Sequence, residues 1–208
     1  LIPESMTRIK KAVLNFFPSR LSLSAFIFLF GIFFLSVFIP FLSPYHEDIA
    51  GAAHFEIAGQ APSLSHWFGT DTSGRDVFTI TIRAALSSFK IAFGVVFFSV
   101  LVGVPIGMVS GLASKRTDEI IMRITDGFLA FPPLILPLAV TAILGPSLNN
   151  VVLGISISWF PWYVRIARSQ SLIISSLDYV SISKSMGANK FHIIKHHILP
   201  NSLSPILT

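Results

Sequence analysis

Just over half of this 208-residue chain is apolar (52%), 20 residues are phenylalanine and 12% are charged, which is about half the charged share of a soluble domain. A soluble core of this length cannot bury that much apolar surface, so a bilayer is the expected solvent. With no cysteine, disulfides and thiolate metal sites are excluded, and the net charge of +5 is spread as in a membrane protein rather than gathered for nucleic acid. The first residue is Leu1, and Thr208 falls inside a new apolar run, so the chain is expected to be a fragment.

Residues 1–20 carry Arg8, Lys10, Lys11 and Arg20 and read as a cytoplasmic N-terminal segment. Residues 21–42 contain no charge and are long enough to cross the hydrocarbon with some tilt. This run is too long for a signal-peptide core and lacks a small-x-small cleavage site, so it reads as a retained first span. Residues 43–87 hold Pro44, Pro62, several glycines and half of the acids, and predict an extracytoplasmic loop with a short amphipathic helix near its end. A second span follows over about 88–114, uncharged from Ile91, in which Gly103 and Gly107 form a small-xxx-small pair suited to close helix packing. After the charged connection Lys115, Arg116, Asp118 and Glu119, a third span is expected over 120–144, broken by Pro132, Pro133 and Pro137. A fourth covers 151–167 and ends in Trp159, Phe160, Trp162 and Tyr163, residues typical of a membrane interface. Residues 168–199 form a cytoplasmic loop, and 200–208 begin a fifth span.

Lysine and arginine placement orients this chain. An inside N-terminus keeps Arg165, Arg168, Lys184, Lys190 and Lys195 on the cytoplasmic side with Lys115 and Arg116. The other side receives Arg75 and Arg83, with Lys90 at the membrane edge, beside the acidic loop.

Residues 178–200, DYVSISKSMGANKFHIIKHHILP, are polar and basic between apolar neighbours. They read as a short helix, a Gly-Ala-Asn break, a second short helix and a proline that stops it. On the first helix Tyr179, Ile182 and Met186 share one face, and Gly187 stands where a positive φ is often needed. That face fits either an apolar groove on a partner or a membrane surface. His192, His196 and His197 bring imidazoles together at helical spacing, but no acidic or sulfur ligand lies near, so they read as a basic face and no metal site is assigned. Asp126 lies about two turns inside the third span, with Arg123 and Arg165 as candidate partners and a snorkelling position as the alternative. Pro132 and Pro133 free backbone carbonyls there, as a pathway lining, a hinge or a lipid-facing bend. Gly69, Thr70, Asp71, Gly74, Arg75 and Asp76 form a turn in which an intraloop ion pair of Arg75 is expected.

Three motifs in this order resemble the membrane-spanning permease subunits of binding-protein-dependent ABC importers, in the C-type subunit of the dipeptide/oligopeptide/nickel branch. HWFGTDTSGRD at 66–76 is similar to that branch's H-x-x-G-T-D-x-x-G-R-D signature. DEIIMRITDGFLAFP at 118–132 resembles its D-E-x-x-M-R-x-x-D stretch with a following F-P. Residues 178–200 resemble its cytoplasmic coupling loop, including Gly187 and HILPN at 197–201. One departure stands out: the E-A-A positions of that loop are Ser181, Ile182 and Ser183, with Asp178 one turn earlier.

The resemblance implies an all-α integral membrane protein, a polytopic helix bundle whose last spans lie outside this chain. It implies a permease for dipeptides or oligopeptides, with nickel or another small solute as the alternative and a non-transporting membrane scaffold as a more distant one. No enzymatic role and no bound cofactor are expected of this chain, ATP-Mg being used by a separate ATPase. Expected partners are a homologous second permease subunit, ABC ATPase subunits, an extracytoplasmic substrate-binding protein and membrane lipid, with no nucleic acid. The expected location is the bacterial cytoplasmic membrane. Contact with the ATPase falls to Asp178, Tyr179, Ile182, Ser183, Met186, Gly187 and Ala188, a pathway or hinge role to Asp126, Pro132 and Pro133, and contact with the binding protein to Asp71, Arg75 and Asp76.

Overall fold

The computed structural model describes residues 19–207, with side chains through 206, so Arg8, Lys10 and Lys11 lie outside the described residues. The chain divides into two compact units, residues 1–90 and 91–208. Among the described residues the structure is helical, with one isolated β-bridge between Thr70 and Asp76.

In the first unit, helix α1 (Arg20–Leu42) starts at a reciprocal cap in which the Ser22 amide donates to Ser19 Oγ and the Ser19 amide donates to Ser22 Oγ. Its 23 residues span about 35 Å, slightly more than the hydrocarbon thickness. Exposed Phe, Leu and Ile side chains lie around it and only Ser36 and Ile39 are buried, the state expected of a helix dissolved in lipid. A short helix α2 (His46–Ile49) and a 3-10 turn (Phe55–Ile57) follow, and then the long helix α3 (Val77–Gly111).

Helix α3 corrects one expectation. No separate amphipathic helix precedes the second span; both are one 35-residue helix. Neither Gly nor Pro occurs between Val77 and Phe93, so nothing stops propagation from the Asp76 cap into the apolar run. Helices α1 and α3 are each long and apolar enough to cross a membrane.

The second unit contains the apolar part of α3 and helices α4 (Lys115–Leu129), α5 (Ile135–Leu144), α6 (Leu148–Ser175), α7 (Asp178–Ser185), α8 (Lys190–Ile193) and α9 (Leu199–Leu207). The expected third span over 120–144 is two helices. Residues 130–134 leave the helix because Pro132 and Pro133 lack amide donors, and Phe131 before them is disfavoured in the α region. Ser158 Oγ donates to the Pro133 carbonyl at 3.2 Å, taking up an acceptor that the break releases. The expected fourth span over 151–167 continues to Ser175, because the arginines past its aromatic cluster find carboxylates on α4.

Helices α3 and α6 approach to backbone contact. A Cβ on Gly103 would fall 2.6 Å from the Phe160 carbonyl oxygen, and one on Gly107 would fall 2.3 Å from that of Val164. A Cβ on Gly111 would meet the Ser171 side chain, 2.6 Å from its Cβ. Around this seam lie the buried Val104, Met108, Ala167 and Ile174, joined by Val180, Ile193, Ile198 and Ile206 from the chain's later segments. Ser171 Oγ donates to the Met108 carbonyl at 3.1 Å, and Ser99 Oγ to that of Ser156 at 3.3 Å. Small residues and inter-helix hydroxyl bonds are the means by which helices associate where lipid removes the hydrophobic drive.

Gly107→Ala is expected to destabilise the purified protein by about 1–3 kcal/mol, since the new methyl meets backbone rather than a movable side chain. Gly31→Ala, where a Cβ meets nothing within 4 Å, is the control and should hold or slightly raise stability. Thermal unfolding of the two variants in the same detergent compares them.

Candidate coupling site

The polar segment after α6 folds as a hairpin with both ends of its turn satisfied. Asp178 stands in the first turn of α7, where a carboxylate complements the helix dipole. At the other end the Ala188 amide donates to the Ser183 carbonyl at 3.1 Å and the Gly187 amide to that of Lys184 at 3.0 Å. This six-to-one and five-to-two pair closes a helix when the residue between adopts the left-handed region, and Gly187 has φ +91°. Asn189 then caps α8, its Oδ1 accepting from the His192 amide at 2.8 Å. Gly, Ala and Asn thus each hold one part of the reversal.

The two arms are tied together and to the unit's core. His197 Nε2 lies 3.2 Å from Ser183 Oγ, and the His197 ring meets Tyr179 edge-on with centroids 5.6 Å apart. Val180 and Ile193 are buried in the cluster built around the α3–α6 seam. On the outer side stand Tyr179, Ile182, Met186 and Phe191, of which Met186 is 84% and Phe191 73% exposed. Exposed apolar side chains on a polar, conformationally fixed hairpin are of the kind that interaction surfaces present.

Of the expected contact residues, Tyr179, Ile182 and Met186 come together on this outer face. Ser183 and Ala188 do not belong to it: Ser183 turns to His197, and Ala188 packs against the core. Phe191 was missed because it falls on the second arm, beyond the helical period that groups the other three. Pro200 does not stop the second arm, as the sequence had suggested. A π turn over Ile194–Ile198, with the Leu199 amide reaching the Ile194 carbonyl, absorbs the absent proline donor and the helix runs on as α9. The three histidines make local bonds: His196 Nδ1 lies 3.1 Å from the His192 carbonyl, and the rings of His192 and His196 lie 4.2 Å apart. Among the described residues no group of three metal-ligating side chains assembles.

On α4, Asp126 takes Arg165 and not Arg123, at 2.6 Å. Pro132 and Pro133 form the break between α4 and α5. A stronger pair went unforeseen one helical level away: Arg168 Nε and Nη2 grip the two oxygens of Asp118 at 2.6 and 2.5 Å, and Ser110 Oγ donates to the same carboxylate. This bidentate clasp joins α3, α4 and α6 at one point and is the better sheltered, Asp118 and Arg168 being 19% and 32% exposed against 55% and 47% for Asp126 and Arg165. The i, i+3 spacing of Arg165 and Arg168, set against two aspartates on α4, was the available signal.

In the first unit, residues 43–76 wrap on themselves. Asp71 Oδ1 accepts from the amides of Ser73 and Arg75, and its Oδ2 accepts from the Arg75 guanidinium at 2.7–2.8 Å. The Arg75 amide first of all holds the Asp71 carboxyl below the ordinary carboxylate range; burial opposes it, and the guanidinium and the Ser73 amide together outweigh that opposition. The stabilisation is therefore present above the ordinary aspartate pKa and lost as the pH falls through the lowered one. Gly69 and Gly74 are required here: both have positive φ, and a Cβ on either would strike the carbonyl of Gln60 or His54. Asp76 is a correction. It was grouped with Asp71 and Arg75 as an outward contact, yet it is 2% exposed, with His66 Nδ1 3.0 Å from its Oδ2 and its Oδ1 accepting from the Thr79 amide at 2.7 Å. It caps α3 from inside the loop.

Residues 103–208 match the family model described as binding-protein-dependent transport system inner membrane component. The chain belongs to that family. It is 36% identical over 207 residues to the probable D,D-dipeptide transport system permease protein DdpC of Escherichia coli, covering 99% of this chain and 68% of that protein. It is 40% identical over 148 residues to the dipeptide transport system permease protein DppC of Alkalihalophilus pseudofirmus, covering 71% and 49%. It is 32% identical over 204 residues to the oligopeptide transport system permease protein OppC of Bacillus subtilis, covering 98% and 66%. The chain thus spans about half to two-thirds of the length of these inner membrane components.

A double-mutant cycle separates the two ion pairs of this family member. Asp118→Ala and Arg168→Ala are expected to couple by about 1.5–3 kcal/mol, as a charged, bidentate, sheltered pair should. Asp126→Ala and Arg165→Ala should couple by less than about 1 kcal/mol in the purified chain. Thermal stability of the four single and two double variants reads both.

Proposed function

We propose that this chain is the membrane-spanning permease subunit of an ATP-driven importer of dipeptides or oligopeptides, moved by a separate ATPase that grips the hairpin of α7 and α8. The observation that carries this reading is the outer face of Tyr179, Ile182, Met186 and Phe191, apolar and exposed on a hairpin anchored from behind by Val180 and Ile193. The three relatives are peptide transport permeases, which supports peptides over nickel. The chain does no bond chemistry in this scheme, and ATP-Mg belongs to the partner. A second permease subunit completes the pathway, and an extracytoplasmic binding protein delivers the solute near the Asp71–Arg75 turn. Asp126 with Arg165, and the break at Pro132 and Pro133, are the candidate pathway and hinge elements.

The geometry supports one mechanical step. A partner groove that closes on ATP binding displaces α7 as a rigid body, because its turn has no slack: Gly187, Ala188 and Asn189 each hold a backbone bond. Val180 and Ile193 pass that displacement to the α3–α6 seam. The second unit then exchanges one packing for another, which exposes the pathway to one side or the other.

The reading is tested at Gly187 and Ile182. A Cβ at Gly187 meets open space, so its substitution acts through φ alone. Gly187→Val should cut uptake and transport-linked ATPase activity by an order of magnitude or more, while Gly187→Asn, which tolerates that φ, should retain most of both. Ile182→Glu should lose partner copurification with the fold intact. Uptake unchanged in Gly187→Val would refute the coupling role.

The proposed topology places the N-terminus in the cytoplasm of a bacterial cell, with several spans in its cytoplasmic membrane. The chain has no cysteine, so single cysteines can be introduced without background. One beside Asp71 and one at Lys184 should react with an impermeant maleimide from opposite faces of the membrane. Labelling from one common face would reverse the orientation.

A further inference from the structure

We propose that a basic cleft on the first unit holds the phosphate of an anionic phospholipid headgroup. The cleft, of about 280 Å³, has three cations in its lining, Arg75, Arg83 and Lys90, together with Ser87 and one acid, Asp48. Its charge balance is uneven. Arg75 is neutralised by Asp71, and the Asp48 oxygens are taken by the Asp76 amide at 2.7 Å and by His54 Nε2 at 3.2 Å. Arg83 and Lys90 remain: among the described residues neither has an ion-pair or hydrogen-bond partner, although Arg83 is half-buried. A part-buried guanidinium without an anion is a costly state, and the fitting ligand is one that supplies negative charge and several acceptor oxygens.

Position selects the source of that anion. Arg83, Ser87 and Lys90 recur at i, i+4 and i+7 on α3, so they face one way and span about 10 Å of helix axis. Lys90 is the last charge before 24 uncharged residues, 91–114, which sets it at the edge of the hydrocarbon, level with lipid phosphates. Arg83, two turns farther from the hydrocarbon, reaches the same layer from the aqueous side. The guanidinium offers a planar pair of donors to two phosphate oxygens, the ammonium adds a point charge, and Ser87 adds a hydroxyl. The inference rests on the membrane placement of α3 and is independent of what the chain transports.

Native mass spectrometry of the purified full chain, with phosphatidylglycerol or phosphatidylcholine supplied in the detergent, tests it. One phosphatidylglycerol should be retained in preference to phosphatidylcholine, and Arg83→Gln/Lys90→Gln should weaken that retention about thirty-fold, the effect of losing two interfacial cations. Arg116→Gln, a cation elsewhere, should leave it unchanged, and the charge-preserving Arg83→Lys/Lys90→Arg should weaken it far less than the double glutamine variant does. Circular dichroism confirms the helicity of each variant. Equal retention of the two lipids, or retention unchanged in the double glutamine variant, overturns the proposal. So does displacement of the lipid by inorganic phosphate at low millimolar concentration, which would identify a site for free anions.

Discussion

The backbone contact between α3 and α6 is the constraint on which the second unit depends. Three glycines one turn apart let the helices approach until a methyl group on Gly103 or Gly107 would strike a carbonyl. At that distance dispersion between whole backbones and two serine-to-carbonyl bonds replace the hydrophobic drive, which is weak between helices already surrounded by lipid. Val104, Met108 and Ala167 close over the seam, and the later segments have a floor on which to dock. The Asp118 clasp is a consequence of the same approach: Ser110 on α3 and Arg168 on α6 reach one carboxylate only because the two helices lie this close.

The hairpin inherits its rigidity from that floor. Val180 and Ile193 are buried on its inner side, so a force applied to Tyr179 or Ile182 meets packed side chains and not a loop that could yield. The π turn at Ile194–Ile198 has a related effect. It carries the chain past Pro200 without ending the helix, so the hairpin's second arm and α9 are continuous, and Ile198 and Ile206 join the same cluster. In the proposed mechanism this continuity matters more than the strength of any single contact. A motor that closes by a few ångströms can bias a bundle only through parts that do not absorb the motion.

The fold class was legible in the composition, and the hairpin in its punctuation. Gly187 and Asn189 have few uses other than a left-handed helix end and a cap, and both are used so. The Gly103–Gly107 pair announced a close approach without saying to which helix, since period reveals a face but not its partner. What failed has a common origin. Residues 77–87 are expected in a loop apart from the apolar run that follows, but a change of solvent does not end a helix, and neither Gly nor Pro occurs from Val77 until Gly94. Conversely the prolines at 132 and 133 were read as a kink in one span, and two missing donors in a row, after a residue already biased away from helix, end it outright. Asp76 misled for a third reason. Its neighbours Asp71 and Arg75 pair with each other and stay partly exposed, and nothing in the local pattern shows that His66 and the Thr79 amide claim it from within.

Exposed apolar side chains occur throughout this protein, and they divide into two kinds by their company. On α1 they lie around most of the helix, with no charge among them after Arg20, and only Ser36 and Ile39 are buried. Lipid needs nothing else, because it has no shape to match and solvates every face alike. On the hairpin, Tyr179, Ile182, Met186 and Phe191 stand among Asp178, Lys184, Lys190 and His192, so the apolar area is bounded and its outline is fixed by polar neighbours. A bilayer surface would accept such a helix lying flat, with one continuous apolar stripe pressed into the headgroups. Here Phe191 belongs to a second arm beyond a tight reversal, so the four side chains do not lie along a single helical stripe. A groove that receives a turn, with pockets on each side of it, accommodates that arrangement better than a planar interface does, and on this ground a protein is favoured over the membrane as the hairpin's counterpart.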